Sequence, residues 1–450
     1  MSVFRLSGDK PGAQLKLDTR ADAEPHLRPL VESRDFVEVH FGGHTLGVGA
    51  CEAVADALKT QKGLKVSASS FALRRSADAP AQIVDLADIF TSRLISEIPP
   101  ALTALCDALL DCPELVEVDL SDNAFGGRSV EPMVPLLSQH PHLQVLKLSN
   151  NGLGPAGGSV IARAVLASAQ TARAAGRAPN LQRIVCGRNR LEDGSADAWS
   201  AALAAHGDSL LEFRAYQNGI RMGGVAALAR GLRACRNLQY LDLQDNTAAE
   251  RGSRALASSL AAWPQLVELN LSDCLLRPRG ALVLAAALAK GGNARLARLR
   301  LQSDEVDARA VNELAAAVEG GQLTALELIE LNGNRCEAED PAVERLVAAL
   351  AKHGHDDALD EIDDVCVCEL RGCELTVPQR GGRSGRGGGR GGAARGGGRG
   401  CRGGAAGARR RLERRRTGRG RDGGRGARRP RGRASRERRA EAAGPRRRRR

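Results

Sequence analysis

Residues 115–127 read LVEVDLSDNAFGG, and residues 143–155 read LQVLKLSNNGLGP. Laid over one another, Leu115, Val118, Leu120, Asn123 and Phe125 fall at the same offsets as Leu143, Leu146, Leu148, Asn151 and Leu153. Apolar residues two apart mark a short strand with one buried face, because side chains alternate across a strand. The asparagine that follows closes a turn, its amide pairing backbone groups that burial would otherwise leave without partners.

Working outward, the template L-x-x-L-x-L-x-x-N-x-L, that of leucine-rich repeats, recurs along the chain. It returns at 181–191 (LQRIVCGRNRL), 210–220 (LLEFRAYQNGI) and 238–248 (LQYLDLQDNTA). Further copies are 266–276 (LVELNLSDCLL), 296–306 (LARLRLQSDEV) and 326–336 (LELIELNGNRC). A degenerate first copy uses Phe36, Val39, Phe41, His44 and Leu46, followed by a helix from about Gly49 to Gln61, and a weaker one lies at 81–91. Segments between strands, such as VAALARGLRAC and RALASSLAAW, carry apolar residues at helical spacing. With a period mostly of 28 to 30 residues, each repeat has room for a full helix, as in the ribonuclease-inhibitor subtype. The fold class is therefore α/β, a leucine-rich repeat horseshoe with parallel strands on the concave face and helices on the convex face. The ladder of structural asparagines is Asn123, Asn151, Asn189, Asn218, Asn246 and Asn334.

Three intervals break the period: 45 residues from His44 to Ile89, 34 from Ile89 to Asn123, and 38 from Asn151 to Asn189. The second holds TSRLISEIPP and the third ASAQTARAAGRAP, and such insertions are expected in loops on one rim, often the binding rim. The first contains VSASSFALRRSADAPAQ, residues 66–82, whose removal would restore a 28-residue interval. Its Val start and Gln end are compatible with read-through of an intron.

The formal net charge of +13 conceals a division. From Arg380 onward there are 28 Arg and four acidic residues, which leaves residues 1–379 at −11. The body is acidic and the end of the chain strongly basic. Aromatic residues make up only 2%, so the core must be built from Leu, Val, Ile and Ala. No secretory signal and no membrane-spanning run is expected, and the eleven scattered Cys suit buried thiols in a reducing compartment. The expected division is a cap at 1–30, repeats at 31–364, a linker at 365–379 and a disordered Arg/Gly tail at 380–450. That tail would bind nucleic acid only non-specifically, having no aromatics for base stacking. It also resembles a glutamate-rich tail read out of frame, which would make 365–379 a read-through segment.

In order along the chain, DLADIFTSRLISEIPPAL, LSDNAFG, LSNNGLGP, VCGRNRLEDGS, QNGIR, LDLQDNT, LSDCLL and IELNGNR resemble the leucine-rich domain of the Ran GTPase-activating proteins. The block DIFTSRLISEIP with NNGLGP and CGRNRLEDGS is the specific part. This resemblance implies a partner, the small GTPase Ran in its GTP form, with a Ran-binding protein as a further candidate. It implies stimulation of GTP hydrolysis in the cytoplasm or at the nuclear envelope, maintaining the Ran gradient for nucleocytoplasmic transport. It implies no cofactor in this chain, since GTP and Mg²⁺ come with the partner, and no intrinsic active site. Activation would proceed by orienting Ran's own catalytic Gln through an Asn, rather than by an arginine finger. Asn150, the first Asn of LSNNGLG, matches that residue, and Arg93 of TSR matches the loop arginine required for activity, both acting in trans.

Residues just before the ladder position form a series, Asp88, Asp122, Asn150, Arg188, Gln217, Asp245 and Asp273, expected along one edge as the partner-binding surface. Four aspartates there would attract a basic partner. Without the surrounding block, Arg93 reads as a solvated loop arginine and Asn150 as a turn residue. Ile95 stands where the family commonly has Lys, which removes a cation near the expected phosphates. His353 and His355 read as an exposed helix end rather than a metal site, and no nucleotide-binding loop or nucleophile–base set is present. Two alternatives remain at this stage: a ribonuclease-inhibitor-like scaffold that activates no GTPase, and an RNA-associated protein acting through the tail.

Overall fold

A computed structural model describes residues 2–8, 13–33, 36–61 and 82–362. The linker at 365–379, the tail at 380–450 and all of the interruption at 66–82 but Gln82 lie outside these residues.

Each copy of the template folds as a strand. They are Phe36–His40, Gln82–Asp85, Leu115–Asp119, Val145–Lys147, Arg183–Val185, Glu212–Arg214, Tyr240–Asp242, Glu268–Asn270, Arg298–Arg300 and Leu328–Glu330. Neighbours in sequence are neighbours in one parallel sheet, and Leu241 sits opposite both Phe213 and Leu269. Helices such as Ile98–Leu110, Met222–Leu232, Arg277–Ala289 and Pro341–Ala351 return the chain, and each packs on the next. Packed helices stand about 8–10 Å apart but strands only about 4.7–4.9 Å, so a stack of such units must curve, strands inward.

The core lies between these layers and is chiefly Leu, Ala and Val, with Trp199 and Trp263 wholly enclosed. Trp263 keeps its one polar atom satisfied by donating from Nε1 to the Leu232 carbonyl at 2.8 Å. Burial pushes the thiols of Cys51, Cys186 and Cys235 up to about 12, so they stay protonated and serve as small apolar groups.

Residues before Phe36 build a strand–helix unit of their own. Ser2–Arg5 extends the sheet as its outer strand, parallel to Phe36–His40. Helix Arg20–Glu32, started by a reciprocal Thr19–Asp22 capping box, packs on helix Val48–Thr60. Its helix runs two residues beyond the expected boundary at 30.

The long third interval also differs from the sequence expectation. ASAQTARAAGRAP does not loop out beside the candidate site. Its first eight residues complete the 21-residue helix Gly154–Ala174, and the turn that follows lies at that helix's far end. There Arg177 Nη1 donates to the Pro141 carbonyl at 3.0 Å. Ala-rich sequence without a breaker simply continued the helix.

From Ile89 to Asn246 the asparagine ladder is continuous hydrogen bonding. The Oδ1 of Asn151 accepts from the backbone N–H of Asn123 at 2.9 Å, Asn189 accepts from Asn151 at 3.0 Å, and Asn218 from Asn189 at 2.9 Å. Asn246 accepts from Asn218 at 3.3 Å, Asn123 from Ile89 at 2.9 Å, and Asn334 from Asp304 at 2.9 Å. Each Nδ2 meanwhile donates to strand-end carbonyls, as Asn151 does to Leu120 at 2.8 Å and Leu148 at 3.0 Å. All six are buried.

Between Asn246 and Asn334, two rungs have other residues. Cys274 donates weakly from Sγ to the Leu243 carbonyl. Asp304, wholly buried, accepts through Oδ1 from Cys274 N at 2.9 Å and Leu276 N at 3.3 Å, while its Oδ2 has no partner among the described residues. Burial pushes its carboxyl from 3.8 up to about 8. Protonated, Asp304 carries a donor where asparagine carries its amide.

Candidate functional site

One residue before each rung, the backbone turns through the left-handed region: φ is 52° at Asp88, 61° at Asp122, 56° at Asn150 and 56° at Arg188. The series continues with 51° at Gln217, 54° at Asp245 and 56° at Asp273. Asn and Asp tolerate this region better than most residues, but Arg and Gln do not, so the ladder beneath must enforce it. A common conformation sends each side chain the same way. Each edge N–H is tied to the next unit, Asp122 to Ser149 O at 2.8 Å, Asn150 to Gly187 O at 2.9 Å and Asp245 to Ser272 O at 2.9 Å. The seven expected residues therefore share one edge. Six are exposed and Asp88 is half-buried.

Neighbouring side chains touch along this edge, since Asn150 Nδ2 donates to Asp122 Oδ1 at 2.8 Å. That bond engages the amide nitrogen and leaves the Asn150 amide oxygen without a hydrogen bond among the described residues. Beside it, the ring of Tyr216 lies so close over Gly187 that a Cβ there would come within 2.3 Å of the ring. Tyr216 also donates to Ser149 Oγ at 3.3 Å. Gly187 and Tyr216 thus wall the position next to Asn150, a contact between repeats that no spacing in the sequence announces.

The strand residues facing the concavity are largely neutralised among themselves. Lys147 pairs with Glu117 at 2.5 Å and Asp119 at 3.7 Å. Burial alone would lower its pKa, but the bond to Glu117 and the charges of Glu117, Asp119 and Asp85 raise it overall. Arg214 sits between Glu212 and Asp242, and Arg300 between Glu268 and Glu330. On the edge, by contrast, Asp122, Arg188, Asp245 and Asp273 make no ion pair among the described residues, so their charge is presented outward.

Arg93 does not point off this edge. Its side chain is only 7% exposed and turns onto the N-terminal unit, donating from Nη1 to Asp18 Oδ1 and from Nη2 to the carbonyls of Leu17 and Thr45, both at 3.1 Å. With its guanidinium committed to three acceptors of its own chain, Arg93 ties residues 91–97 to the first units. The signal that would have revealed this, Lys16-Leu17-Asp18 lying against the loop, is about 75 residues away in sequence. Asp193 of the EDGS segment is also structural, accepting from Arg221 N at 2.7 Å and Gly224 N at 3.1 Å and so capping helix Met222–Leu232.

His353 and His355 each place Nε2 3.1 Å from a backbone oxygen, of Val318 and Thr324. Among the described residues no group of three or more His, Cys, Asp or Glu is arranged to hold a metal, and no helix is long and apolar enough to cross a membrane.

Residues 139–162 match the family described as Leucine Rich repeat. Over 349 residues the chain is 37% identical to Ran GTPase-activating protein 1 of Saccharomyces cerevisiae, an alignment that takes in 76% of this chain and 81% of that protein. The chain belongs to the Ran GTPase-activating protein family. Two further members of the family are similar over shorter stretches. Ran GTPase-activating protein 1 of Xenopus laevis is 38% identical over 212 residues, 46% of this chain and 33% of that protein. Ran GTPase-activating protein 2 of Caenorhabditis elegans is 38% identical over 196 residues, 42% and 18% respectively. This chain therefore spans no more than a third of these two larger relatives.

Proposed function

We propose that this chain stimulates GTP hydrolysis by the small GTPase Ran in its GTP form, and that the edge from Asp88 to Asp273 is where Ran sits. One observation carries the reading. In a member of this family, an exposed amide, Asn150, stands between Asp122 and the Gly187–Tyr216 wall on a backbone that its neighbours hold in place. A fixed amide oxygen beside a bound GTPase can accept from the side-chain N–H of Ran's catalytic Gln and aim that Gln at the attacking water. Ran would supply the nucleotide and Mg²⁺, and this chain no cofactor, its share being positioning and exclusion of solvent. The buried Arg93 supports this over an inserted arginine, because freeing it would cost three hydrogen bonds. It acts by holding its loop. A Ran-binding protein is a candidate third component, and the cytoplasm is where such an activity would maintain the Ran gradient.

Single-turnover hydrolysis on GTP-loaded Ran, with the chain saturating, tests this. The unaltered chain should accelerate hydrolysis, and Asn150→Ala should cut the plateau rate by about 10²–10³-fold, the usual loss of one preorganised polar contact. Asn150→Gly, which holds the left-handed turn without strain, should lose as much. Arg93→Ala should lower the rate less. A plateau indifferent to Asn150 but abolished by Arg93→Ala would reverse the assignment.

A further inference from the structure

Leu94 and Ile95 are 68% and 62% exposed, the two most exposed large apolar side chains among the described residues, and they are consecutive. A single surface leucine calls for no explanation. These two sit on a segment held from every side. Phe90, before them, is buried against the ring of Phe125 at 6.1 Å, and Ile98, after them, is buried at the start of helix Ile98–Leu110. Arg93 N donates to Phe90 O at 3.1 Å, and the Arg93 guanidinium is bound to the first units. Glu97 closes the turn on Leu94 twice: its Oε2 accepts from Leu94 N at 3.0 Å, and its N–H donates to Leu94 O at 2.9 Å. Thr91, three residues before Leu94, donates to Asp88 of the edge. A loop so fastened has already lost the freedom that binding would otherwise take from it.

We infer that Leu94 and Ile95 form the apolar anchor of the docking surface, a step at the end of the acidic edge that inserts into an apolar depression on the GTPase. This inference rests on the function proposed above. Continuity supports that occupant: through Thr91 and Asp88 the step adjoins Asp122 and Asn150, so apolar area lies beside acids that form no ion pair among the described residues, a combination suited to a protein interface. The fitting partner face is apolar with basic residues around it. Two apolar side chains supply contact area rather than charge, so their contribution is to affinity rather than to the chemical step.

The test is single-turnover hydrolysis by Ran with the full chain titrated, comparing the unaltered protein with Leu94→Ser/Ile95→Ser. Both residues are exposed, so thermal unfolding of the variant should match the parent. The half-saturating concentration should rise about tenfold or more with the plateau rate kept, whereas Val347→Ser, on the outer helix Pro341–Ala351, should change neither. An unchanged half-saturation, or a lost plateau at unchanged half-saturation, overturns the anchor while leaving the function standing. No stimulation by the unaltered chain overturns the function, and the anchor with it.

Discussion

Asn150 and Asn151 are adjacent, chemically identical and opposite in role. Asn151 is wholly buried, its amide spent on Asn123 N, Leu120 O and Leu148 O. Asn150 is exposed and makes one side-chain bond, to Asp122. The same holds at the neighbouring repeats: the buried row is asparagine from Asn123 to Asn246 and again at Asn334, while the edge row carries Asp, Asn, Arg and Gln. A buried rung must satisfy one donor and two acceptors in a fixed shape, which few side chains can do. An edge position asks only that the backbone turn, and leaves the side chain to whatever meets it. Constraint and freedom alternate one residue apart.

The sharpest way to break this comparison is to remove one rung. Asn151→Ala strands a buried N–H and two carbonyls and should cost about 3–5 kcal/mol of stability, read from chemical unfolding. Asn150→Gly should stay within about 1 kcal/mol of the parent. Equal losses would mean that the two rows are not distinct.

Asp304 sharpens it next, as the rung where the pattern is imperfect. Its folded pKa of about 8 exceeds the 3.8 of the free group, so the folded chain keeps a proton that the unfolded chain releases. The stability it contributes is full below pH 3.8 and is lost as pH rises to about 8. Asp304→Asn supplies the amide the other rungs have, and should add on the order of 2–5 kcal/mol at pH 8 and much less near pH 4. A gain independent of pH would show that Asp304 is not held protonated.

The smallest expected effect is on the edge. Asp245→Asn/Asp273→Asn keeps residues that tolerate the left-handed turn and removes two outward charges. Stability should hardly change, while the rate of association with GTP-loaded Ran at low salt should fall about two- to fivefold. That difference should fade as salt is raised. Stopped-flow mixing measures it.

Much of this was legible in the residues. Leu115 to Phe125 and their copies declared strand, turn and helix, because burial on one face imposes a period that composition cannot hide. The edge series followed from the same register, since the residue before a rung is fixed in place by the rung. Even the broken intervals were visible, though not their meaning: 167–179 lengthened a helix, because local propensity cannot tell an extra turn from a loop.

The sequence by itself thus determined the repeat, the ladder and which residues share an edge, because these follow from spacing within one unit of about thirty residues. Only the tertiary structure decided where Arg93 points, that Tyr216 covers Gly187, and that Leu94 and Ile95 stand out on a fastened loop. Those outcomes depend on surfaces from different repeats meeting in space. Packing between units is set by shape and by unsatisfied polar groups, and neither is written in the interval between two residues.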